Sequence, residues 1–323
     1  IVMLTQDDGA YYSKPLLSTA LAKGQTAEQL AMKTAAQMAQ QLNVDIKKHT
    51  QVEQLDCANQ CVKTSAGDLE YSHCVLAMGA KPIDIPLAGD AVKHMVSVNN
   101  LTDYAQFRQW LCGKKHIAIL GSGLVGCEFM NDLLLSDYRV TVVSIDDYPL
   151  QRLLPLAELG HACQQEYADR GVTWHLQQAA QSVDQRNGKM VITLSDGAMV
   201  EADGVISAVG LRADTALAKQ AKLTVNQGIV VDDYARTSDP NVFALGDCAE
   251  IFGQLYQYVA PILHGARACA KTLSDTPTAI VYPPMPVVVK NLTRRVNFAK
   301  LLAILGFQRI LLMRRYLGHS GNC

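Results

Sequence analysis

The chain has 323 residues, 49% of them hydrophobic, which is enough for two or three domains that each bury a core. Its 29 basic and 30 acidic side chains leave a net charge of −1, so no global field argues for nucleic acid or an anionic membrane as partner. Nine irregularly spaced cysteines with no C-x-x-C pair exclude a disulfide scaffold and a zinc site, and point to reduced thiols in a cytoplasmic protein with no bound metal. Cys57 and Cys61 are close in sequence but lie in a turn segment with no histidine pair nearby.

The chain opens on an apolar strand, Ile1–Thr5, with no initiator Met or signal peptide. The pattern predicts a helix over 26–43, with Leu30, Ala31, Met38 and Leu42 among its apolar positions, then a β-meander over 46–75 and a buried strand from Val75 to Met78. Asn100, Thr102 and Asp103 are cap signals for a helix ending near Trp110. A strand–loop–helix–strand unit covers 116–143, and a helix over 155–170 ends at Gly171, a C-cap residue. Strands fill 172–207, with hairpin turns at Arg186-Asn-Gly188 and Ser195-Asp-Gly197. Near Gly228 the chain returns to its first domain, and Pro261 marks a helix entry in the segment from Tyr258 to His264.

The strand from His116 runs directly into Gly121-Ser122-Gly123-Leu124-Val125-Gly126 and then a helix. This is G-x-G-x-x-G spacing. The first glycine allows the sharp turn, the second admits a pyrophosphate to the backbone, and the third lets helix pack on strand. The diphosphate of a dinucleotide then meets the helix N-terminus. At the end of the following strand stand Ser144, Asp146 and Asp147, with no arginine immediately after. Carboxylates there repel a 2′-phosphate, which favours NADH over NADPH. Further on, Thr237 to Asp247 reads as a turn, a buried strand and a Gly246-Asp247 opening. A carboxylate at that place suits a ribityl hydroxyl or, alternatively, a plain helix cap.

These pieces together resemble the two-dinucleotide-binding FAD/NAD(P)-dependent pyridine nucleotide oxidoreductases, in which an NAD domain is inserted into an FAD domain. Four segments carry the resemblance: Val75 to Pro82, the loop 121–126, Ile206 to Arg212, and Thr237 to Asp247. Asp7 to Ser18 and Tyr282 to Lys290 are most similar to the members that reduce rubredoxin. The resemblance implies an α/β fold: a doubly wound FAD-binding domain with an inserted Rossmann-like NAD domain and part of an α+β interface domain. It divides the chain into 1–100 and 228–280 for FAD, 101–227 for NAD, and a truncated or aberrant region over 281–323. It implies FAD and NAD as cofactors, NADH as donor, and a rubredoxin-like iron–sulfur protein as acceptor, with a flavorubredoxin-type carrier as the alternative.

Carried over residue by residue, the resemblance places Asp7, Lys14, Pro15, Val52, Ala77, Gly79, Gly246, Asp247, Val259 and Lys290 around FAD. It places Gly121, Ser122, Gly123, Leu124, Val125, Gly126, Glu128, Ser144 and Gly210 around the nucleotide. Lys14 would lie beside the flavin and pair with Glu128 across the domain boundary, giving the two catalytic side chains; alternatively, Glu128 is only a dipole partner near its helix start. The backbone at Val259 would offer a helix N-terminus to the reduced ring, while His264 reads as a packed helix residue. Segment 7–18 contains no cysteine, so the redox-active thiol that disulfide reductases need over the flavin is missing.

Both ends depart from the family pattern. The first strand and glycine loop of an FAD domain would precede Ile1, which implies a chain that holds no stoichiometric FAD, or a non-catalytic dinucleotide-binding fragment. After Lys290 the residues are basic with no acid through Cys323. That tail reads as aberrant or, alternatively, as an amphipathic basic helix over 298–315 that lies on a surface and does not span a bilayer.

Overall fold

The computed structural model describes residues 1–154, 156–283, 287–289 and 311–313. Its α-helices are α1 (Ala27–Leu30), α2 (Ala35–Leu42), α3 (Leu101–Trp110), α4 (Leu124–Leu134), α5 (Ala157–Asp169), α6 (Ala216–Gln220) and α7 (Val259–Leu273). Packing divides the chain into two units. The described parts of Ile1–Tyr12, Ala31–Lys81 and Leu211–Met285 form the first, and those of Ser13–Leu30, Pro82–Gly210 and Pro286–Cys323 the second. The division expected from sequence differs in three places: residues 13–30 and 82–100 pack with the nucleotide-binding part, and 211–227 do not.

The second unit is built on a parallel sheet with the order Thr173–His175, Arg139–Val143, His116–Leu120, Gly204–Ser207. All five residues of His116–Leu120 are buried, as a strand flanked on both sides and covered on both faces requires. An antiparallel meander, Ala180–Arg186, Lys189–Leu194 and Met199–Ala202, shares a core with it through Val183, Ile192, Leu194, Ala118, Leu120 and Val205. Its first turn is the expected Asn-Gly hairpin, with Asn187 and Gly188 at φ 49° and 77°. Helix α3 starts where the cap signals place it: the Asn100 side chain accepts from the Asp103 N–H at 2.8 Å. Gly171 follows α5 at φ +93°, the left-handed C-cap expected there.

The first unit includes the parallel pairs Val2–Leu4 with Asp45–Lys47, Cys74–Leu76 with Val242–Ala244 and Ile229–Val230 with Ala249–Ile251, and an antiparallel sheet of Val52–Asp56, Cys61–Thr64 and Gly67–Glu70. Leu55, Val62, Leu76, Ile229, Val242, Phe243 and Ile280 belong to its core.

Three expectations need correction. The helix over 26–43 is two helices, because Tyr11 N–H donates to Lys33 O and Met32 N–H to Tyr11 O, each at 2.8 Å, which pulls 31–33 out of helical geometry. Thr34 and Gln37 then form a capping box that starts α2. The strand expected over 75–78 runs from Cys74 to Leu76, and Val75 is 39% exposed. Alternation explains this: Cys74 and Leu76 face the core, so Val75 points the other way. Leu311–Met313 forms a strand parallel to Val287–Val289, so the alternative basic helix does not extend over those three residues. The rest of the tail, with Lys290, lies outside the described residues. No helix among the described residues is long and apolar enough to cross a membrane.

Candidate functional site

In the second unit the glycine turn is held by backbone sterics. Gly121 sits at φ +104°, and its N–H donates to Val143 O at 2.7 Å. A Cβ on Gly126 would lie 2.2 Å from Gly121 O, so only glycine lets α4 start this close to the strand. A Cβ at Gly123 would meet nothing within 4 Å, and Gly123 caps α4 with no side-chain bond. The turn therefore presents an open backbone and an uncapped helix start, with Leu124 and Val125 in the first turn, as a diphosphate requires. Ala208, two residues before Gly210, packs on this turn: its O would be 2.5 Å from a Cβ on Gly121. Gly210 itself is left-handed at φ +122°.

Ser144 is buried, and its hydroxyl is hydrogen-bonded within the protein. It accepts from Ser122 Oγ at 2.8 Å and from Asp146 N–H at 3.2 Å, and donates to Asp146 Oδ2 at 3.0 Å. Ser122 Oγ also lies 3.3 Å from Asp146 Oδ2, so both hydroxyls converge on this carboxylate. The network fixes Asp146, whose carboxylate is the group left at the strand end. Asp147 is exposed and bonds Gln151 through its N–H. The Ser122–Ser144–Asp146 relay is not legible in the sequence, where these residues lie in separate segments.

Glu128 is the fifth residue of α4 rather than its start, and it is only 6% exposed. Ser18 Oγ donates to Glu128 Oε2. One helical turn on, buried Asp132 accepts from the N–H groups of Leu21 and Ala22 at 2.9 and 3.0 Å. Lys14 and Pro15 open a 3-10 turn, Lys14–Leu16, four residues before Ser18, and this segment packs in the same unit as Glu128. The sequence places Lys14 and Glu128 in different domains; packing places both in the second unit. Ser18 and Asp132 were not singled out by sequence reasoning. The available signal was two carboxylates spaced i, i+4 in a mostly apolar helix.

In the first unit, Ala244 pairs with Leu76 and Leu245 N–H donates to Leu76 O at 2.9 Å. Ala77–Gly79 and Gly246–Asp247 thus leave the same, carboxyl end of adjacent parallel strands, where open α/β sheets bind ligands. Gly79 and Gly246 are both left-handed, at φ +69° and +75°. Gly246 and the first turn of α7, through Pro261 and Ile262, line one pocket. Val259 opens α7 with no side-chain cap and is half exposed. Val52 lies in its strand against the same core, and the Asp7 carboxylate turns back to accept from Gly9 N–H at 2.9 Å. An open glycine turn, a carboxylate-bearing turn and an uncapped helix start are the parts a flavin and its ribityl chain need, so these residues fit FAD. Cys248, beside them, is fully buried and donates to Leu245 O.

Comparison with known proteins agrees with this geometry. The family described as pyridine nucleotide-disulphide oxidoreductase matches residues 1–269. The chain is 46% identical over 295 residues to the rubredoxin-NAD(+) reductase of Alcanivorax borkumensis, covering 90% of this chain and 76% of that one. It is 37% identical over 291 residues to the nitric oxide reductase FlRd-NAD(+) reductase of Vibrio vulnificus, with the same coverage. Among solved structures it is similar to putidaredoxin reductase in its covalent complex with putidaredoxin, with a TM-score of 0.79, 27% identity, and coverage of 87% and 70%. A glycine turn that only glycine can form, an acid fixed at the end of the next strand and a match over most of the chain agree on one point: the chain belongs to the pyridine nucleotide-disulphide oxidoreductase family.

Proposed function

We propose that the chain is an NADH-dependent FAD flavoprotein that passes electrons to rubredoxin. The observation that carries this reading is the cradle at Gly121–Gly126, joined by Glu128 and Ser18 to the Lys14 segment, in a chain 46% identical to a rubredoxin-NAD(+) reductase. The cradle holds the diphosphate of NADH, and Asp146, fixed by Ser144, accepts the ribose hydroxyl and repels a 2′-phosphate. Glu128 orients the nicotinamide side and Lys14 supplies positive charge to the reduced ring. Asp7, Pro15, Val52, Ala77, Gly79, Gly246, Asp247 and Val259 hold FAD. When bound, FAD supplies an acceptor that takes a hydride and releases electrons singly. We place the enzyme in the cytoplasm, where its cysteines stay reduced.

An acceptor panel tests this. With FAD supplied and oxygen excluded, NADH should bleach the flavin, and oxidised rubredoxin should restore its absorbance faster than a disulfide does. Faster recovery with a flavorubredoxin supports the second reading, which the Vibrio relative favours. Recovery with disulfides alone contradicts both.

A further inference from the structure

Residues 13–25 are a run of tight turns with little regular structure of their own. Leu16 N–H donates to Ser13 O, Leu17 to Lys14 O, Thr19 to Leu16 O, Gly24 to Leu21 O and Gln25 to Ala20 O, each between 2.9 and 3.1 Å. These bonds shorten the run into two consecutive groups of turns, 13–19 and 20–25, so a hold on one limits where the next can stand. The run is held at three points. Ser18 reaches Glu128, and the N–H groups of Leu21 and Ala22 reach the two oxygens of Asp132. From α3, Tyr104 Oη donates to Gln25 O at 3.0 Å and Arg108 donates to the same carbonyl.

We propose that Asp132 is a positioning residue: its carboxylate clasps the Leu21–Ala22 turn and so sets where the Lys14 end of the segment stands relative to Glu128. This rests on the roles given above to Lys14 and Glu128. Two features favour Asp132 over the other two points. It takes two backbone donors at once, which fixes orientation as well as distance. It also sits on α4 one turn from Glu128, so the segment and Glu128 share one rigid support. A carboxylate is costly to bury. Burial pushes Asp132 up to about 6 against the pull of the Leu21 and Ala22 N–H groups, with Lys23 lowering it and Glu128 raising it. Tyr104, on α3, is the other titratable group facing it.

Asp132→Asn keeps the volume but offers one acceptor atom for two donors, leaving one of the two backbone N–H groups without its partner. In the full chain loaded with FAD, the rate of flavin reduction at saturating NADH should fall about tenfold, with the Kd for NADH within about twofold of the original, because positioning is lost while the cradle is intact. Amide exchange of residues 17–25 should quicken while that of 116–120 is unchanged. An unchanged rate and exchange in the variant, or loosening of 116–120 together with weaker NADH binding, would each overturn the proposal. If NADH fails to reduce the flavin in the unmodified chain, the functional reading falls, while the exchange data still decide whether Asp132 holds the segment.

Discussion

The strands His116–Leu120 and Cys74–Leu76 both run into a turn with a left-handed glycine, yet they are built differently. The first has parallel neighbours on both sides and five buried residues. The second pairs with Val242–Ala244 alone among the described residues and leaves Val75 39% exposed. A turn inherits its rigidity from its platform. The turn at Gly121 stands on a central strand with a parallel neighbour on each side, and the turn at Gly79 stands on a two-stranded pair among the described residues. Equivalent changes in the two places should therefore have unequal consequences.

The largest effect is expected at the Gly121–Gly126 turn itself. Gly126→Val drives a branched side chain into Gly121 O, already 2.2 Å from a bare Cβ. It should cost on the order of 3–5 kcal/mol and abolish NADH binding, checked by urea unfolding and by titration with NADH. Next come the strand centres. Ile117→Ala, at a site with no exposure, should lose about 2–5 kcal/mol, whereas Val75→Ala should lose under about 1 kcal/mol. Equal losses would show that the two platforms are alike after all. Asp146→Ala should narrow the preference for NADH over NADPH in kcat/KM by about 1–3 kcal/mol. Ser144→Ala should act in the same direction and more weakly, since it only fixes Asp146.

The smallest effect concerns acid. Burial pushes Asp203 up, but Lys189 and the N–H groups of Lys115 and His116, the latter two at 2.8 Å, hold it well below the usual carboxylate range. A depressed carboxylate contributes stability above its unfolded value of 3.8 that is lost as pH falls toward its folded value. Unfolding midpoints should therefore drop in acid, and Asp203→Asn should flatten that slope. Unfolding curves of the two proteins over the acid range check this.

What was legible in the sequence follows the same divide. Local chemistry was readable: the Asn100 cap, the Asn187-Gly188 hairpin, the Gly171 stop and the glycine turn each depend on residues a few positions apart. The break at 31–33 was not, because Tyr11 makes it from outside the segment. The placement of 13–30 was missed for the same reason. Its anchors, Glu128 and Asp132, lie more than a hundred residues away, and only folding brings them to Ser18, Leu21 and Ala22. The place of Ser144 at a strand end was readable, but its bonds to Ser122 and Asp146 join separate segments that only folding brings together.

Single-turnover reduction of the FAD-loaded chain by NADH, followed without oxygen, tests the central claim most directly. The account predicts that NADH bleaches the flavin faster than NADPH does. It also predicts that Lys14→Ala slows the bleaching more than it weakens FAD binding. A flavin that NADH leaves oxidised, or a rate untouched by the loss of Lys14, would contradict it.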